Sequence, residues 1–171
     1  MNSFNCNEGR HMTVTYKDIR ERFTQLEKAK EDRRILVTTE SMKLADAYYT
    51  SLGLENPVWV DVQGTNKPYV IIGSMHGDRF VAESFSTIPL DEDYGINFTL
   101  ATVVDDSPRG GESKLVNIYL RIKDGVTTVW VSDAVREISV IDDNWADVCR
   151  LIKDKVYMAI SDQGLGQPEY F

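Results

Sequence analysis

Residues 115–132 read Leu-Val-Asn-Ile-Tyr-Leu-Arg-Ile-Lys-Asp-Gly-Val-Thr-Thr-Val-Trp-Val-Ser, and this stretch decides the fold. Two segments rich in β-branched and aromatic residues, 115–122 and 126–132, flank Asp124-Gly125. That pair supplies the positive φ that a tight hairpin turn demands. The stretch therefore predicts two antiparallel strands joined by a short turn.

Working outward, segments 58–62, 69–72, 79–85 and 96–104 have the same composition and predict four more strands. In 96–104, Ile96, Phe98, Leu100, Thr102 and Val104 alternate with Asn97, Thr99, Ala101 and Val103. Val58, Val60 and Val62 alternate with Trp59 and Asp61, which predicts one buried face and one partly buried. Turn signals at 63–66 and 74–78, an acidic loop at 88–95 holding Pro89, and a glycine-containing loop at 105–113 separate the segments. Residues 138–141 predict a short edge strand.

The flanks read as helical. Thr15 and Asp18 have the spacing of a capping box, and Tyr16, Ile19, Phe23 and Leu26 follow at helical spacing, with the charges left outside. Glu27 and Glu31 stand within helical reach of Lys30 and Arg34. Residues 35–38 read as a short strand. Thr39 then caps a second helix over 40–52, with Met42, Ala45, Tyr49 and Leu52 on one face and Gly53 at its end. The segment 35–62 is the one place where a βαβ unit with a parallel pair is expected. Asp142 or Asp143 is placed to cap a last helix over 145–160, striped by Trp145, Val148, Ile152, Val156 and Ile160.

Together these elements predict an α+β fold: a mostly antiparallel meander of six to seven strands packed by N- and C-terminal helices. One domain is expected over 12–160. Residues 1–11 read as a polar tail or cloning remnant, and 161–171 as an extended tail.

At 171 residues, 42% hydrophobic and 10% aromatic, the chain is long enough to bury a core without staples. No apolar run approaches the roughly 20 residues of a membrane span. Cys6 and Cys149 stand alone and unpatterned, as reduced thiols do, so a cytoplasmic setting is expected. A net charge of −8 argues against a dedicated nucleic-acid binder, which carries a basic face. Between Phe80 and Pro108 there is no Lys or Arg, while Glu83, Asp91, Glu92, Asp93, Asp105 and Asp106 all fall there. Brought together by the sheet, they would form an anionic pole attractive to a basic protein surface.

Motifs for chemistry are partial. His11-Met12-Thr13 matches half of the paired H-x-[S/T] pattern of two-histidine phosphodiesterases, and His76-Gly77-Asp78 fails the other half. Glu112-Ser113-Lys114 has the E-x-K spacing of metal-dependent nucleases, with Asp93, Asp105 and Asp106 upstream. Arg109-Gly110-Gly111 offers backbone N–H groups to an anion but does not run from a strand into a helix. Trp59, Tyr69, Tyr119 and Trp130 have the residue types of a stacking platform, and equally of cross-strand pairs.

The pattern assigns no catalytic residue, metal ligand or cofactor. The leading expectation is an acidic binding protein that masks a basic partner. Bacterial immunity proteins, phage inhibitors and secretion chaperones share this profile as an analogy of class. The second expectation is a small enzyme or ligand-binding domain, with His76, Asp78, Arg109, Glu112 and Lys114 around one pocket and phosphodiester chemistry as its nearest match. The third is an assembly subunit pairing edge to edge.

Overall fold

The computed structural model describes residues 13–132 and 136–160; the two tails, with Cys6 and His11, lie outside the described residues. The chain parts into two compact units between Arg33 and Arg34, inside what the sequence reads as one domain.

In the first unit the capping box forms. The Thr15 N–H donates to Asp18 Oδ2 at 2.8 Å, and the Asp18 N–H donates to Thr15 Oγ1 at 3.3 Å. It opens α1, Tyr16–Ser51, whose first half carries surface pairs of Lys17 with Glu21 and Lys30 with Glu27. The predicted apolar stripe is present, yet every residue from 13 to 32 is exposed.

The second unit corrects the reading of 35–52. There is no strand at 35–38 and no second helix start at Thr39: α1 runs unbroken through both. The β-branched run Ile35-Leu36-Val37-Thr38 favours a strand locally, but burial decides otherwise. Val37, Ser41, Leu44, Ala45 and Tyr48 are buried, and their spacing fits only a helix. Thr39 Oγ1 donates to the Ile35 carbonyl at 2.8 Å, as a hydroxyl within a helix does, so it caps nothing. The buried face is also rotated from the predicted one, since Met42 is exposed and Tyr49 sends its hydroxyl to the Pro57 carbonyl at 2.8 Å.

Eight strands follow among the described residues: β1 Val58–Val60, β2 Asn66–Pro68, β3 Val70–His76, β4 Arg79–Ala82, β5 Ile96–Val103, β6 Ser113–Lys123, β7 Val126–Val131 and β8 Ile138–Val140. The last six form one antiparallel sheet in the order β4-β3-β5-β6-β7-β8. The expected α+β class and antiparallel meander are what the chain adopts. Among the described residues β1 pairs only with β2, antiparallel, and no βαβ unit forms over 35–62. There the covered face is that of Trp59, which is buried, while Val60 is exposed.

Asp124 and Gly125 have φ of 50° and 76°, the two positive values of a tight hairpin turn, and join β6 to β7 as predicted. Ile96, Phe98 and Leu100 of β5, Val116, Ile118 and Leu120 of β6, and Val129 and Val131 of β7 build one sheet face. Tyr48 reaches it through a 2.8 Å hydrogen bond to Thr102, and Glu40 through one of 3.0 Å from Thr127. The core is completed by α2, Ala146–Ala159, which buries Val148, Cys149, Ile152 and Val156. Asp142 and Asp143 do not cap α2. They turn the chain at positive φ, and Asn144 Oδ1 accepts the Ala146 N–H at 3.1 Å.

Candidate polar cleft at the acidic end of the sheet

The strand register creates the site. β3 and β5 pair from Val70↔Thr102 to Gly73↔Thr99 and then stop, while β3 continues beside β4 alone as far as His76. β5 continues beside β6 down to Ile96. The two strands therefore fork, and a cleft of about 500 Å³ includes Ser74 and His76 from one prong and Asn97, Thr99 and Asn117 from the other. Glu83 and the segment from Thr87 to Pro89 line it as well. That segment is anchored from below. Phe85 stacks edge-on against Phe98, with centroids 4.9 Å apart, and Arg34 Nη2 donates to the carbonyls of Phe85, Ser86 and Ile88 at 3.1, 2.6 and 2.6 Å.

Within the cleft Ser74 Oγ donates to Glu83 Oε2 at 2.6 Å, and His76 Nε2 lies 3.0 Å from Glu83 Oε1 and 3.1 Å from Ser74 Oγ. This is not a relay of the nucleophile–base–acid kind. Such a relay needs the acid on one ring nitrogen and the hydroxyl on the other. Here both address Nε2, and the serine proton points at the carboxylate. What the trio does is hold a negative charge: the Ser74 hydroxyl first, and then His76, keep the Glu83 carboxyl below its ordinary range. A lowered folded-state value contributes stability above the ordinary glutamate value, lost as pH falls through the lowered one. Ser74→Ala is expected to move the Glu83 midpoint upward, toward the ordinary 4.5, in a carboxyl-carbon NMR titration. An unmoved midpoint would remove the serine from this role.

Thr99 donates its hydroxyl to Asn117 Oδ1 at 2.7 Å, leaving the Asn117 amide hydrogens and the whole Asn97 amide without a partner among the described residues. At the rim, Asp91 is a builder of its loop: its Oδ1 accepts the N–H groups of Asp93 and Gly95 at 3.0 and 2.8 Å. Burial, and then a hydrogen bond to Asp91, push the Tyr119 phenol up to about 12. Tyr119 stacks on its cross-strand partner Trp130 at 5.4 Å, and Arg121 lies 5.0 Å from the Trp130 ring centre. Of the four aromatics in the expected platform only these two meet. Trp59 donates to the Pro68 carbonyl and Tyr69 to Asp106.

The acidic residues do not form one pole. His76, Asp78, Glu83, Asp91, Glu92 and Asp93 lie toward the end where β3 turns into β4 and β5 begins. Asp105, Asp106, Arg109, Glu112 and Lys114 lie where β5 turns into β6. The eight residues of Ile96–Val103 separate the two groups, a span of about 25 Å at roughly 3.3 Å per residue. The far group is largely spent on itself. Glu112 pairs with Lys114 at 2.6 Å, Asp106 accepts from Tyr69 at 2.8 Å, and Asp105 caps Ser107 at 3.1 Å. Arg109 is exposed in the same loop. The E-x-K pair is thus remote from Asp93, and His76 and Asp78 from Arg109 and Glu112. Among the described residues no three His, Cys, Asp or Glu side chains gather as a metal site, and no helix is long and apolar enough to cross a membrane.

The sequence singled out His76 and Glu83 but not Ser74, Asn97, Thr99 or Asn117. Asn97, Thr99 and Asn117 share one strand face and Ser74 has the parity of the opposite one, so no single alternation pattern marks them, and only the fork in the register brings them to one cleft. No family model, curated protein or solved structure matches this chain.

Proposed function

We propose that the chain is an acidic protein-binding domain that receives a basic segment of a partner at the forked end of its sheet. What carries the reading is the composition of that end. Its strand connections hold Asp78, Glu83, Asp91, Glu92, Asp93 and Asp124, against Arg79 and Lys123 at the hairpin ends. Asp78, Glu92 and Asp124 have no side-chain partner among the described residues, so their charge faces water. Beside them the cleft offers a carboxylate kept ionised and amides with unused donors and acceptors. A lysine or arginine side chain supplies the matching donors. Steering by the rim raises the rate of encounter, and the cleft fixes the register.

The test is capture from a lysate at about 50 mM and about 500 mM salt, which bracket strong and weak screening. The wild-type chain is expected to retain a basic protein at low salt. The triple variant Asp78→Asn, Glu92→Gln, Asp93→Asn is expected to lose it about tenfold or more. Asp91 is left intact because it builds the loop. Identical retention by both chains would contradict the proposal.

A further inference from the structure

Four large apolar side chains lie on the first half of α1, where nothing among the described residues covers them. Tyr16, Ile19, Phe23 and Leu26 are 78, 58, 62 and 49% exposed. Their spacing of three, four and three is the a-d-a-d pattern of a coiled-coil seam, with Tyr16 and Phe23 at a and Ile19 and Leu26 at d. The next a and d positions are Lys30 and Arg33, which end the seam after two heptads. Water is a poor solvent for such a stripe on a helix already formed.

The flanking charges say what covers it. In this register Arg20 and Glu27 occupy e positions and Arg22 a g position. Two copies aligned in parallel set the g residue of one helix beside the following e residue of the other, so Arg22 meets Glu27 twice by symmetry. Glu27 has an oxygen to spare, since Lys30 takes Oε1 at 3.0 Å. The antiparallel alignment that pairs all four stripe residues faces e with e and g with g. It sets Arg22 against Arg22, which like charges oppose, leaves Arg20 between Arg20 and Glu27 of the other copy, and makes no use of the Arg22–Glu27 pair. We infer that this chain self-associates as a parallel dimer through the Tyr16–Ile19–Phe23–Leu26 seam, with Arg22–Glu27 pairs fixing the direction. The inference is independent of the cleft reading.

Sedimentation equilibrium of the full chain over roughly 1 µM to 1 mM tests it. The expected mass climbs with concentration toward twice the 19.4 kDa of one chain. Phe23→Glu is expected to weaken association about 100-fold. Arg22→Glu and Glu27→Arg are each expected to weaken it about tenfold. The double variant Arg22→Glu/Glu27→Arg recovers it, as does an equimolar mixture of the two single variants in a heterodimer. Circular dichroism confirms that each variant keeps its helix. A monomer at every concentration overturns the inference and leaves the stripe to another occupant. A dimer indifferent to Phe23→Glu places the interface elsewhere, and one indifferent to the charge swap rejects the parallel alignment.

Discussion

Gly73→Ala is expected to lower the unfolding free energy by about 3 kcal/mol, read from the denaturant midpoint at unchanged m-value. The reason is contact. A Cβ at this position runs into the Val81 carbonyl oxygen and the Phe80 ring on the neighbouring strand. A ring can swing aside; a strand carbonyl cannot move without parting β3 from β4. Gly73 is also the last residue of β3 that pairs with β5, through Thr99, so the fork opens from here. The substitution therefore reaches the cleft as well as the core. Separating β3 from β4 draws Glu83 away from Ser74 and His76, and the Glu83 midpoint should rise with the loss of stability. A stability change within about 0.5 kcal/mol, the usual range for surface substitutions, would contradict a destabilising contact at this position.

Arg34→Met is expected to cost a similar amount, about 3 kcal/mol, and to act more locally. Its guanidinium is the donor for three consecutive-turn carbonyls, at Phe85, Ser86 and Ile88, of which Phe85 and Ile88 belong to buried residues. Methionine keeps the length of the stem and removes every donor. The carbonyls of a partly buried segment then lose a charged partner that water replaces incompletely. Because this segment carries Thr87 to Pro89 along the cleft, amide hydrogen exchange over 84–90 is expected to accelerate more than exchange in β6 or β7. Arg34→Lys keeps the charge but not the planar fork, and should recover part of the loss. Uniform acceleration across the sheet would contradict a local role.

Much of the fold was legible because its signals are local. Asp124-Gly125 between two β-rich segments determined a hairpin, and the alternation in 96–104 grouped Ile96, Phe98 and Leu100, which lie together on the buried face. The errors arose where a long-range contact overrode a local preference. Ile35 to Thr38 looks like a strand until Val37, Leu44 and Tyr48 are seen to share one buried helical face. Trp59 outcompetes the valines around it for the covered side because it is larger and has a carbonyl at Pro68 for its indole N–H. The site was less legible than the fold. The base-free interval from Phe80 to Pro108 is visible in the sequence, but β5 runs through its middle and carries Asp105 and Asp106 away from Asp91. Asn97, Thr99 and Asn117 hold no motif. They become neighbours through the pairing of β5 with β6, a fact of register and not of spacing.

The forked, acidic end of the sheet is the proposed landing site of a basic partner. The most direct measurement is a backbone and side-chain amide NMR titration of the full chain with a short oligo-arginine peptide. Shifts are expected to concentrate at Ser74, His76, Glu83, Asp93, Asn97 and Asn117, and to fade as salt is raised. Shifts spread evenly over the acidic surface, or centred on Asp105, Asp106 and Glu112 at the other end of β5, would contradict it.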